Sequence, residues 1–418
     1  MPSEEQINQT FERITNILER LEKKVYADSQ ADETSDKIDD IDEMRANLQA
    51  RIATQIQNMG VLYPLLNDPT VNDILINGAT NVYVERKGKL EKTGITLGRD
   101  SEVIRVANEI VETVGRKLDK RRPLIDARLL DGSRVNVIAP PLAVDGTTIS
   151  IRKFSDKAIT LEVMIEQQNI NKALSEILFL CGPSRMNMLI SGGTGSGKTT
   201  LLNAISRSID HAERIVTIED AAELKLQQPH VVRLETKPFE IGSSRDYEVT
   251  MRDLVKNALR MRPDRIIVGE VRGSEAFDMM QAMNTGHEGS MTTVHANHPR
   301  DALSRVENMI MMANLGIPMK AIRYQIASAL NVIVQISRMR DGHRRITHVS
   351  EVVGMEGEII TLQDLFNFVP DGGIDKSGTL SGKFIWSGIV PRFVRRVAYW
   401  GYQDRLAKAL GIDLKRMN

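Results

Sequence analysis

Apolar residues in the first sixty positions recur at spacings of three and four. Ile7, Phe11, Ile14, Leu18, Leu21 and Val25 form one stripe, which predicts an amphipathic helix suited to a coiled coil or small bundle. From Asp28 to Glu43 eight carboxylates stand against one lysine, the signature of a solvated linker. Met44, Leu48, Ile52, Ile56 and Met59 mark a second helix, stopped by Gly60. Residues 1–60 therefore read as helices with an acidic linker, a tether or oligomer support on the plain reading and a partner-binding element on the sharper one.

The pattern changes at Val61. Ile74–Ile76 and Val82–Val84 read as short strands joined at Asn77-Gly78, Val103, Val106, Ile110 and Val114 as a helix stripe, and Arg134–Ile138 and Thr148–Ile151 as further strands. Residues 61–154 make a small α+β domain, and 155–170 a linker. In 171–418 strands alternate with helices: Asn187–Ile190, a helix from Thr199, Ile215–Ile218, a helix over Val249–Arg260, and Arg265–Val268. Such alternation predicts an α/β domain with a mostly parallel sheet covered on both faces, joined here to a C-terminal helical region.

Composition narrows the class. The 418 residues carry 55 basic and 55 acidic side chains, a balance that argues against a protein built to grip nucleic acid through a basic face. Cys181 is the single cysteine, which rules out an internal disulfide or a four-cysteine zinc module and points to the cytosol. The acidic, polar start lacks a signal-peptide core, and no apolar run nears the roughly 20 residues of a membrane helix. Work at a membrane would require docking onto something embedded there.

The sharpest chemical signal is Gly192-Gly193-Thr194-Gly195-Ser196-Gly197-Lys198-Thr199, continued by Thr200. It matches the phosphate-binding loop G-x-x-x-x-G-K-[ST] in full, with an apolar strand before it and a helix after it. Glycines let backbone N–H groups converge on one phosphate, and the helix start adds its positive dipole end. Lys198 is placed for the β- and γ-phosphates of ATP and Thr199 for Mg²⁺.

Hydrolysis also needs carboxylates at neighbouring strand ends. Two apolar strands end in acids: Ile215–Ile218 in Glu219, and Arg265–Val268, through Gly269, in Glu270. The sequence does not say which is the base; our reading assigns Glu219 to water activation and Glu270 to the Mg²⁺ shell. Farther on, Thr292-Thr293-Val294 reads as a strand ending at His295, a candidate γ-phosphate sensor or a structural histidine.

Together these pieces resemble the type II/type IV secretion system ATPase superfamily, whose members carry a P-loop, an Asp box, a glutamate-bearing Walker B strand and a His box in that order. They match Gly192–Thr200, Thr217–Glu223, Ile266–Glu270 and Thr285–Asn297. Leu62–Pro69, Val82–Arg86, Arg122–Leu129 and Asp131–Asn136 resemble the N-terminal domain of the Tad/Cpa ATPases that build Flp-type pili. Conjugation-type relatives are the nearest competitor.

The resemblance implies a RecA-like ATPase domain, a smaller PAS-like α+β domain, and a homohexamer at the cytoplasmic side of the inner membrane, docked on pilus platform proteins. It implies that N-terminal-domain arginines reach the γ-phosphate, which here means Arg134 and Arg152, and that hinge motion couples hydrolysis to movement. Arg260, Arg262 and Arg272 flank the Walker B strand and suit a subunit boundary. The basic, aromatic segment from Arg392 suits either a membrane or platform contact or a helix packed on the body. A nucleic-acid translocase and a non-hydrolysing nucleotide-binding scaffold are the rival readings from other classes.

Overall fold

The computed structural model describes residues 60–413 other than 87, 130, 155–158, 238–247 and 375–377. The helices and acidic linker expected over residues 1–59 lie outside the described residues. The chain divides into two compact units, one running to Asp156 and the other starting at Lys157.

The first unit holds strands β1 (Val71–Asn77), β2 (Asn81–Arg86), β3 (Lys89–Lys92), β4 (Leu124–Arg128), β5 (Arg134–Ile138) and β6 (Thr148–Arg152). They form one antiparallel sheet in the order β3-β2-β1-β6-β5-β4. Alternation sends Ile74, Ile76, Val82, Val84, Val135, Val137, Ile149 and Ile151 to one buried face. The helix Asp100–Glu112 adds Val103, Val106, Ala107, Ile110 and Val111 to that core. The edge strand β3 is exposed and charged (Lys-Leu-Glu-Lys), which discourages pairing with another chain.

The second unit carries β7 (Met188–Gly192), β8 (Ile215–Glu219), β9 (Val231–Glu235), β10 (Arg265–Val268), β11 (Met291–Val294), β12 (Val332–Arg338), β13 (Arg344–Glu356), β14 (Ile359–Ile374) and β15 (Leu380–Trp386). Their order is β15-β14-β13-β12-β7-β11-β10-β8-β9. The strands from β12 to β9 run parallel, and β13 to β15 add an antiparallel extension. The central parallel strands are buried on both faces, so they read as continuous apolar runs rather than alternating ones. Helices Lys172–Cys181 and Lys198–Ser206 pack on one face, and Met251–Ala258, Glu275–Asn284, Pro299–Met312 and Met319–Ala329 on the other.

One expectation is corrected. Residues 161–170 of the expected linker are not a connector. Thr160 caps a helix over Leu161–Glu166 by accepting the Val163 N–H, and Leu161, Met164 and Ile170 are buried in the second unit's core. Beyond the β13–β15 extension the C-terminal segment holds two short helices, Val394–Tyr399 and Gln403–Leu410. Those helices take the packed alternative: Val397, Leu406 and Leu410 are buried, while Arg396 pairs with Glu288 and Arg405 with Glu176.

At the root of the sheet, Arg265 is fully buried. Its Nε and Nη2 donate to the two Glu213 carboxylate oxygens at 2.6 and 2.7 Å, and Nη2 and Nη1 also reach the Gly182 and Gly289 carbonyls. The bidentate pair with Glu213 gives the buried guanidinium charge-assisted acceptors in place of the water that burial removes.

Candidate nucleotide site

The buried strand β7 delivers the glycine loop to the sheet's C-terminal edge. Gly192 has no room for a side chain, since a Cβ would lie 2.4 Å from the Ile336 carbonyl oxygen. Gly193 and Gly195 are the reverse: a Cβ there would meet nothing within 4 Å, so the loop's outer rim is open. Gly195 and Gly197 take φ of +68° and +98°, values that favour glycine, and Gly197 is the residue from which the helix Lys198–Ser206 starts. Ser196 Oγ donates to the Gly193 carbonyl at 2.9 Å, closing the turn. Thr194 is exposed, and Thr199 and Thr200 sit half-buried in the first helical turn.

Lys198 is buried. Its Nζ donates to the carbonyls of Gly192 and Gly193, each at 3.1 Å, and lies 3.2 Å from His295 Nε2. His295 Nε2 is in turn 2.8 Å from Glu270 Oε1. One ring nitrogen cannot accept from the ammonium and donate to the carboxylate at once, so the proton on Nε2 decides which contact is a hydrogen bond. Burial, and then the Lys198 charge, lower the His295 pKa below its usual value. Gln335 Nε2 holds the neighbouring Ala296 carbonyl at 3.1 Å, and Thr293 Oγ1 ties the histidine strand to the Gly269 carbonyl at 2.7 Å.

The structure thus brings together Lys198, His295 and Glu270. It also supplies a residue that spacing only flagged: Arg272 donates through Nη2 to Glu270 Oε2 at 2.7 Å and lies 3.4 Å from Asp220, all within one chain. The bond to Glu270 raises the Arg272 pKa.

Glu219 has a different environment. Its carboxylate is buried and accepts the backbone N–H groups of Glu223 at 2.9 Å and Leu224 at 3.0 Å. Gly269 leaves it space, because a Cβ there would stand 2.8 Å from Glu219 Cγ. Burial pushes its pKa up to about 7. The carboxylate is engaged in closing the loop after β8. Glu223, half-buried at the end of that brace, contributes charge felt by both Glu219 and Arg272. It lies inside the matched Asp box, and only the direction of the Glu219 side chain singles it out.

Arg134 and Arg152, both in the first unit, face each other as partners on the β5–β6 ladder. Arg152 Nε donates to Asp73 at 3.1 Å. Among the described residues no helix is long and apolar enough to cross a membrane, and no three His, Cys, Asp or Glu side chains gather into a metal cage.

Comparison with known proteins agrees with this geometry. Residues 55–358 match the family model described as Type II/IV secretion system protein. The chain is 36% identical over 323 residues to a putative conjugal transfer protein of Mycobacterium tuberculosis, covering 76% of this chain and 90% of that one. It is 30% identical over 318 residues to the type IV secretion system protein VirB11 of Brucella suis biovar 1, covering 70% and 87% of the two chains. The X-ray structure of the Legionella pneumophila ATPase DotB shares the fold with a TM-score of 0.50 at 23% identity, over 68% of this chain and 77% of that one. With its glycine loop, strand-end acids and histidine on a RecA-like sheet, the chain belongs to the Type II/IV secretion system protein family.

Proposed function

We propose that the chain is a motor subunit that hydrolyses ATP at the Gly192–Thr200 loop and works as a homohexamer on inner-membrane platform proteins to assemble a Tad/Flp-type pilus. The observation that carries the hydrolytic reading is the convergence of Lys198, His295 and Glu270, linked by contacts of 3.2 and 2.8 Å beside an open glycine loop. A buried ammonium resting on its own loop's carbonyls is a cation that phosphate oxygens can take over.

The donor set fits ATP with magnesium. Mg²⁺ beside phosphates binds through one or two carboxylate or hydroxyl groups and the phosphates themselves. Thr199 and Glu270 would hold it; when bound it would offset charge on the phosphates. Lys198 neutralises the transferring group, and His295, whose pKa burial lowers, lies between Lys198 and Glu270. Arg272 holds Glu270 in place. Arg134 and Arg152 are proposed to reach the γ-phosphate from a first unit, in keeping with the charge that arginine would neutralise.

Phosphate release by the wild type and Lys198→Ala tests the chemistry: the variant should lose at least about 100-fold, by analogy with removal of a transition-state donor. Equal rates would sink the enzyme claim. Solution mass with Mg-ATP tests the ring, and added double-stranded DNA should leave the rate unchanged. A second reading, a conjugation-type traffic ATPase, is favoured by the name of the mycobacterial relative. Disrupting the gene in its host separates the two: loss of surface pili supports the first reading, and loss of plasmid transfer with pili intact supports the second.

A further inference from the structure

We infer that Arg344 is a nucleotide-binding residue, gripping the α- and β-phosphates from the outer lip of the glycine loop; this rests on the ATP-binding reading proposed for that loop. Arg344 opens β13, far in sequence from the loop, yet its Nε donates to the Gly195 carbonyl at 2.9 Å. Its stem lies against Gly197, where an added Cβ would be 3.2 Å from Arg344 Cδ. The guanidinium therefore borders the segment whose N–H groups and helix start attract phosphate. A guanidinium carries five N–H donors in a fixed fork, so it can keep a loop carbonyl and still take phosphate oxygens.

Two further features support a binding role. The hairpin that presents Arg344 is rigid. Asp341 accepts from Arg345 Nη1 at 2.9 Å and from the Leu380 N–H at 2.7 Å, and Arg345 Nη2 donates to the Leu380 carbonyl at 3.0 Å. Its root is tied to the loop's root, because Ile336 of β12 pairs with Gly192. The γ-phosphate end is marked by Lys198, His295 and Glu270, so a contact at Gly195–Gly197 is assigned to the phosphates that ATP and ADP share.

The test is a titration of the full chain with fluorescent ATP and ADP analogues in Mg²⁺, using wild type, R344Q, R344K, the control R340Q and K198A. Arg340 donates to the Gly372 carbonyl instead of the loop, so R340Q should bind as wild type does. R344Q should weaken both nucleotides roughly 10- to 100-fold, the size of a charge-assisted hydrogen bond or two, with R344K in between. Unchanged ADP affinity in R344Q, loss confined to ATP, or R344K as weak as R344Q would overturn the inference, the last because it would reduce Arg344 to loop support. A wild type no better than K198A overturns the ATP-binding reading itself, a failure distinct from the others.

Discussion

Two strand tips in one sheet, β8 and β10, are written almost alike: a buried apolar strand, then a glutamate. They end in opposite environments. Glu219 folds inward, is held by two backbone N–H groups and sits under Gly269. Glu270 faces the loop, touching His295 and Arg272. The turn beyond each strand makes the difference. After β8 the chain turns back at once, and its N–H groups need an acceptor. After β10, Gly269 and Val271 are taken by backbone bonds to Ile218 and Thr293, which leaves the intervening Glu270 side chain directed at the site. A carboxylate at a strand tip is thus a site residue only if the next turn does not claim it.

Perturbing the buried tip should appear in stability, and perturbing the open tip in rate. The largest stability effect should be a pH dependence. Glu219 has a folded-state pKa of about 7, above its ordinary 4.5. The folded protein therefore keeps a proton that the unfolded chain has lost. The stabilisation is full below pH 4.5 and disappears as pH rises through 7, on the order of 3 kcal/mol at most. Melting curves of wild type and Glu219→Gln from pH 5 to 8 should converge toward low pH and part toward high pH, with the variant the flatter of the two. Parallel curves would remove Glu219 from the account.

At the open tip, His295→Ala should slow phosphate release by roughly 10- to 100-fold, with a melting temperature near that of wild type. Gly269→Ala joins the tips: its Cβ would force Glu219 out of place, costing about 1–3 kcal/mol, read as a lower melting temperature. Arg272→Gln, which removes a side chain 60% exposed, should change the rate only a few-fold and stability by less than about 1 kcal/mol.

Much of this site could be read from the sequence. The central strands of a doubly covered parallel sheet are rich in apolar and β-branched residues, so β8, β10 and β11 stand out and their tips point to Glu219, Glu270 and His295. The glycine loop needs no tertiary information. Strand β14 is not legible in the sequence because its side chains are mostly half-buried or exposed and show no clean period. Arg344 was equally hidden, since it reaches the loop only because β12 lies beside β7, and sheet order is not local. The pairing of Arg134 with Arg152 depends on register in the same way.

The most direct test of the central claim is steady-state phosphate release by Glu270→Gln and Glu219→Gln, measured side by side with wild type at one pH. The account predicts a loss of about 100-fold or more for Glu270→Gln and less than about 10-fold for Glu219→Gln, which keeps an oxygen to accept the Glu223 and Leu224 N–H groups. The reverse order, with Glu219→Gln the dead variant and Glu270→Gln near wild type, would contradict it.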